Sequence, residues 1–225
     1  MEQKKSSRLD QIFDALSGLT KSKSSSAVIE TPVDGRRFLL VGLGNPGREY
    51  TRTRHNIGFM LIDAFAKQLG ISFTRTQFKS LVTDGHYLGN RVHLAKPQTY
   101  MNASGTSVGA LIKFYKIPLE ILLVIYDDVD LPFSGLRMKP GGGSGGHKGM
   151  DSIIKQVGTP DIPRLRLGVG RPPGQRQAAE YVLKPFSAQE DEFLANFIDR
   201  AVEATQAYIN SGIMDAMTEY NRSEG

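Results

Sequence analysis

The sequence predicts a single α/β domain built on a mixed, largely parallel twisted sheet with helices on both faces. Three observations lead there. The apolar runs Phe38 to Val41 and Ile121 to Tyr126 read as strands covered on both sides, stretches of helical period alternate with such runs, and a long helical pattern closes the chain. With 225 residues, 40% of them hydrophobic, one substantial core is affordable and a single catalytic-size domain is expected.

Taken in order, residues 1–36 form an N-terminal extension set apart from the domain at 37–225. Leu9, Ile12, Phe13, Leu16 and Leu19 recur at helical spacing between Ser7 and Thr20, with Gly18 near the end, and a Ser- and Lys-rich run follows, so a flexible tail with a short amphipathic helix is expected. The strand Phe38 to Val41 then enters a Gly-rich loop that ends near Tyr50, and helical period resumes over Ile57 to Leu69. Alternating segments around Leu81 and over Val92 to Leu94 predict a hairpin with Gly89 and Asn90 at its turn. Ser104 to Tyr115 reads as a helix, Ile121 to Tyr126 as the strongest strand, Met150 to Val157 as a helix, and Arg164 to Val169 as another central strand. The last helix runs from Ser187 to Ile209, with Ser187 and Glu190 in capping-box spacing and Gly212 past its end.

Composition narrows the chemistry. There is no cysteine, which removes disulfides, thiol nucleophiles and Cys-based metal sites and fits a reducing compartment such as the cytoplasm. Lys plus Arg exceed Asp plus Glu by 28 to 23, a net +5 that permits a polyanionic partner. No apolar stretch is long enough for a membrane helix, and the N-terminus lacks the compact apolar region of a secretory signal. The Ser- and Lys-rich extension leaves an organelle transit peptide open, although its acidic residues are unusual for one.

Two Gly-rich segments invite nucleotide-binding readings. Gly42 to Gly47 matches G-x-G-x-x-G after a strand, but no helix starts at the third glycine to aim its amides at a pyrophosphate, and no acidic residue follows at the end of a second strand. Gly141 to Gly149 precedes a helix without the G-K-[ST] ending of a phosphate loop, so no ATPase is implied. With Arg137, Lys139, Arg164 and Arg166 nearby, it reads as a loop that handles a polyanion.

The candidate site residues are polar and sit where α/β sheets collect ligands. His55 stands in a polar loop just before a helix, where an imidazole held by a carboxylate can take a proton from water. Carboxylates end the strongest strand at Asp127, Asp128 and Asp130, although such a cluster also suits Mg²⁺ or the capping of the turn before Pro132. Asn102 supplies an amide that serves a carbonyl or an oxyanion, or else a simple turn. His86 and His93 lie in strand-like sequence with no ligand spacing and are expected to be structural or solvent-facing.

Read together, Val41 to Gly47 with Tyr50, Arg54 to Phe59, Lys96 to Asn102 with Ser104-Gly105, Asp127 to Pro132 and Gly141 to Gly149 closely resemble, in order, the motifs of bacterial-type peptidyl-tRNA hydrolases. The resemblance runs from about Phe38 to Arg222. It implies hydrolysis of the ester between peptide and tRNA in peptidyl-tRNAs released prematurely from ribosomes, by a monomer with no cofactor, metal or membrane partner. It also implies that His55 activates water, that Asp127 orients it, and that Asn45 joins them at the catalytic centre. Tyr50, Tyr100, Met101 and Asn102 would bind the aminoacyl ester and terminal adenosine at the CCA end, with Asn102 stabilising the oxyanion. Lys139 and Arg166 would grip a phosphate of the acceptor stem, and Gly146 and His147 would belong to a gate over the cleft. Lys148 departs from the pattern, standing on the substrate side where the family commonly has Asn, so that a charge able only to donate replaces a two-way amide. That departure keeps a second reading, a non-catalytic intron-splicing factor of the same fold that binds RNA.

Overall fold

The computed structural model describes residues 35–171 and 178–221. The helix expected between Ser7 and Thr20 lies outside them. The described residues form one seven-stranded sheet in the order β2-β3-β4-β1-β5-β7-β6. Its strands are β1 (Arg37–Gly42), β2 (Arg75–Gln77), β3 (Ser80–Tyr87), β4 (Asn90–Pro97), β5 (Leu122–Asp128), β6 (Leu136–Lys139) and β7 (Arg164–Gly168). The helices are α1 (Ile57–Gln68), α2 (Ser104–Tyr115), α3 (Lys148–Val157), α4 (Ala178–Val182), α5 (Ala188–Ser211) and α6 (Ile213–Tyr220). The four central strands, β4, β1, β5 and β7, run parallel, while β2, β3 and β6 join at the margins as antiparallel strands.

Both faces of the central strands are buried, which is why β1 and β5 carry unbroken apolar runs. Phe38 and Leu40 of β1 point into a core with Leu61, Ile62 and Phe65 of α1 and Phe197 and Ala201 of α5. Leu39 and Val41 point the other way, onto Val108 and Leu111 of α2 and Met150 and Ile153 of α3. Because α1 follows β1 on one face and α2 follows the adjacent β4 on the other, a crevice opens at the carboxyl ends of these strands. α1 also sits unusually close to the sheet: a Cβ on Gly58 would stand 2.5 Å from the Ile125 carbonyl oxygen and 2.6 Å from the Leu43 amide nitrogen. Only glycine allows that approach, which brings the turn bearing His55 against the end of β5.

Local chemistry accounts for the ends of the elements. The β3–β4 hairpin turns through Leu88 and Gly89, both with positive φ (49° and 76°), the twist-matched geometry of a two-residue loop. The expected turn was one residue too late: Asn90 already pairs with Tyr87 in β4, and its Oδ1 accepts from the Arg36 amide at 3.1 Å. Ser187 caps α5 in a reciprocal box, with its Oγ accepting from Glu190 N at 3.3 Å and Glu190 Oε2 accepting from Ser187 N at 2.7 Å. Gly212 ends that helix, as expected, but the chain continues into α6. Just beyond α6, Asn221 accepts from Met138 N at 2.7 Å and donates to Met138 O at 3.0 Å, covering the open edge of β6.

Candidate active site

The crevice holds a cleft of about 480 Å³ lined by, among others, Asn45, His55, Tyr100, Met101, Asn102, Asp127, His147, Lys148 and Arg166. Residues from six separate stretches of the sequence therefore converge at one place.

Asn45 follows β1 in the first Gly-rich loop. Gly47 has φ 118° and leads into a three-residue 3-10 turn, and α1 begins only at Ile57, so no helix N-terminus meets a dinucleotide here. The loop is instead stitched down by Asn56, whose Oδ1 accepts from Asn45 N and whose Nδ2 donates to Asn45 O, both at 2.9 Å. Asn45 Oδ1 in turn accepts from Met101 N at 2.9 Å. This fixes the amide orientation and leaves Nδ2, a pure donor, without a partner among the described residues. Asn56 is the residue that sequence reasoning passed over. Its neighbour His55 drew the attention, and nothing local signals a side chain that substitutes for a backbone strand.

His55 is positioned from its other side by Arg54. The Arg54 side chain is almost fully buried, its guanidinium 4.1 Å from the centre of the Tyr181 ring and 5.3 Å from that of Phe186. It donates to Pro185 O at 2.6 Å and pairs with Glu190 at 2.5 Å. The turn before α1 is thus clamped to the segment that runs from α4 into α5.

Asp127 lies at the end of β5, 3% exposed. His55 Nδ1 stands 2.8 Å from its Oδ1, and His147 Nε2 stands 3.1 Å from the same oxygen. Burial pushes the Asp127 carboxyl upward, but the charges and hydrogen bonds of His55 and His147 outweigh it and hold the group well below the usual carboxylate range. Asp127 is therefore an anion, an acceptor only, and His55 donates to it through Nδ1. His55 Nε2 is then the lone-pair nitrogen, with no partner among the described residues. The oxygen and nitrogens of His55, Asp127 and His147 lie within 4.8 Å of one another and form the one candidate metal set among the described residues. Any cation there would have to displace both imidazole N–H donors from the carboxylate.

The remaining predicted residues divide clearly. Tyr100, at 69% exposure, and Asn102 present free side chains at the cleft from the turn after β4. Met101 is buried beneath them. Gly146 and Lys148 also line the cleft, with Ser144 and Gly145. Tyr50 lies half-buried in the neighbouring 3-10 turn and does not line the cleft. Arg166 lines it and is ion-paired with Asp128, whose Oδ1 also caps the turn by accepting from Asp130 N at 2.9 Å.

Lys139 is outside the cleft lining: the β6–β7 register sets it opposite Arg164, whereas Arg137 stands directly opposite Arg166. Arg164 is not a surface cation. It is 1% exposed and donates to the carbonyls of Ile162 at 2.9 Å, Gly143 at 3.0 Å and Pro160 at 2.5 Å, pinning the base of the second Gly-rich loop. His93 is buried and stacked on Tyr115 at 4.1 Å, and His86 is exposed.

Fold and cleft together define an α/β protein that presents a carboxylate-oriented histidine, with two asparagine amides, at the carboxyl edge of its sheet. A family model described as peptidyl-tRNA hydrolase matches residues 39–225. The peptidyl-tRNA hydrolase of Carboxydothermus hydrogenoformans is 50% identical over 185 residues, 82% of this chain and 98% of that protein. The chloroplastic peptidyl-tRNA hydrolase of Arabidopsis thaliana is 47% identical over 210 residues, 92% of this chain and 71% of that protein. Among solved structures, the peptidyl-tRNA hydrolase of Acinetobacter baumannii superposes with a TM-score of 0.77 at 36% identity, covering 82% of this chain and 94% of that one. The chain belongs to the peptidyl-tRNA hydrolase family. These relatives favour the hydrolase over the splicing-factor reading.

Proposed function

We propose that this protein hydrolyses the ester linking peptide to tRNA in peptidyl-tRNAs released prematurely from ribosomes, returning the tRNA to translation. The observation that carries the mechanism is the His55–Asp127 pair, in which Asp127 accepts the Nδ1–H hydrogen bond and leaves Nε2 free toward a cleft that holds the unengaged amide NH₂ groups of Asn45 and Asn102. His55 Nε2 takes a proton from water as its oxygen attacks the ester carbonyl carbon. The carbonyl oxygen becomes an oxyanion that Asn102 Nδ2 receives, with Asn45 Nδ2 holding the peptide side of the ester. The tetrahedral intermediate then expels the ribose oxygen, which takes the proton back from His55, leaving a peptide carboxylic acid and free tRNA.

Charge divides the cleft. The arginine end, Arg166 with Arg137 across the strand pair and Lys139 beyond them, suits acceptor-stem phosphate, with Lys148 a further cation in the cleft lining. Exposed Tyr100 suits stacking against the terminal adenosine of the CCA end. Gly146 and His147 belong to the loop that gates this cleft. The protein acts as a monomer. Plant relatives named chloroplastic and mitochondrial stand beside bacterial ones, which is compatible with either the cytoplasm or an organelle as the place of action. The deciding experiment incubates purified protein with peptidyl-tRNA and scores deacylated tRNA. Parent turnover and a folded, inactive His55→Ala variant support the reading, and a fully active His55→Ala refutes it.

A further inference from the structure

His147 carries a duty beyond that of a gate residue. Gly145 and Gly146, with φ of 59° and 81°, form a tight turn closed by His147 N donating to Ser144 O at 3.1 Å. That turn delivers His147 to the N-cap of α3, where its Nδ1 accepts from Met150 N at 3.1 Å. An acceptor nitrogen carries no proton, so the neutral ring has its hydrogen on Nε2, which stands 3.1 Å from Asp127 Oδ1. The ring also rests against Tyr126, with centroids 4.6 Å apart, and is only 8% exposed at its side chain. Its tautomer, tilt and partner are thus set from three sides. Two imidazole N–H groups converge on one oxygen of a buried carboxylate, although only His55 has a nitrogen left over for water.

We propose that His147 is a positioning residue: its Nε2–H fixes the Asp127 carboxylate for His55 while its Nδ1 holds the start of α3, so that the Gly-rich loop and the water-activating pair are set by one side chain. This rests on the reading of His55 as the base. A loop displaced from the cleft would take the second donor away from Asp127, and the pair would lose its alignment when the gate is open. Water activation is thereby tied to the closed loop, which keeps the site idle between substrates.

His147→Asn separates the two duties. Asparagine is among the best N-cap residues, so its Oδ1 keeps the Met150 bond, but its side chain is too short to reach Asp127 as well. Thermal melting at the parent temperature together with a fall in kcat of about 10- to 100-fold, the usual range for a lost orienting partner, is expected, with KM unchanged. His147→Ala loses both the cap and the contact and melts lower. Parent-like kcat in a folded His147→Asn, or a rise in KM alone, overturns the proposal, because His147 would then only touch substrate. Should His147→Asn not fold, nitrogen NMR of the parent decides: a bare Nδ1 and protonated Nε2 on His147 support it, and the reverse tautomer overturns it. His55→Ala run alongside keeps the outcomes apart, since turnover by that variant defeats the base assignment whatever His147→Asn does.

Discussion

Replacing His93 with phenylalanine is expected to flatten the acid side of the stability profile. His93 is 4% exposed in β4, its Nδ1 has no hydrogen-bond partner, and its ring stacks on Tyr115. Burial, with Arg91, Arg37 and Arg75 nearby and only Asp84 opposing them, pushes the imidazole down to about 4. In the unfolded chain it returns to about 6.5. Between those values the unfolded state binds the extra proton, so stability falls as pH drops from 6.5 toward 4 and is level above that window. From pH 8 to pH 5 the loss assigned to this residue is about 2 kcal/mol, and its limit below pH 4 is about 3 kcal/mol. Phenylalanine fills the same space, keeps the stack and has no proton to bind. Urea unfolding of parent and His93→Phe at pH 8, 6.5, 5.5 and 5 measures the difference directly. The gap between the two should open in favour of the variant as pH falls, to about 2 kcal/mol at pH 5. Parallel profiles across that range would show that His93 titrates alike in both states, which would refute the burial argument.

Asp127→Asn should leave the fold intact and reduce kcat by about 10²- to 10⁴-fold, because a neutral amide, whose NH₂ can also turn toward His55, no longer holds the Nδ1–H tautomer or stabilises the imidazolium that forms; turnover of peptidyl-tRNA checks it. Arg54→Ala strips a guanidinium from Glu190, two carbonyls and two rings, and a loss of about 3 kcal/mol is expected in urea titrations. Arg137→Ala should weaken tRNA binding at low salt and lower the slope of log affinity against log salt by about one, read by titrating labelled tRNA at several salt concentrations. Ser187→Ala removes the acceptor of the capping box and should cost about 1 kcal/mol in thermal melting.

How much of this was legible in the sequence depended on how local each signal is. β1 and β5 stood out because strands covered on both faces need unbroken apolar runs, and α5 because its capping box and closing glycine are written in neighbouring residues. β2, β6 and α4 are three to five residues long, too short for a period to declare itself. α4 owes its place to distant partners, since Tyr181 donates to Val169 O at 3.1 Å and lies over Arg54. His55 and Asp127 were readable as types of residue in suitable places, but the sharing of one carboxylate oxygen by His147 depends on how a glycine turn closes. Arg164 misled for a physical reason: arginine is usually a surface cation, and only the fold shows three carbonyls converging on this one.

The Arg54–Glu190 clamp has a consequence for the order in which this molecule becomes competent. Glu190 lies 136 positions after Arg54, and the same carboxylate also closes the box that starts α5. A growing chain can bring β1, α1 and β5 together early, yet the turn bearing His55 lacks its Arg54 clamp until α5 has emerged. The full set of contacts around the water-activating histidine is therefore complete only once nearly the whole chain has been made.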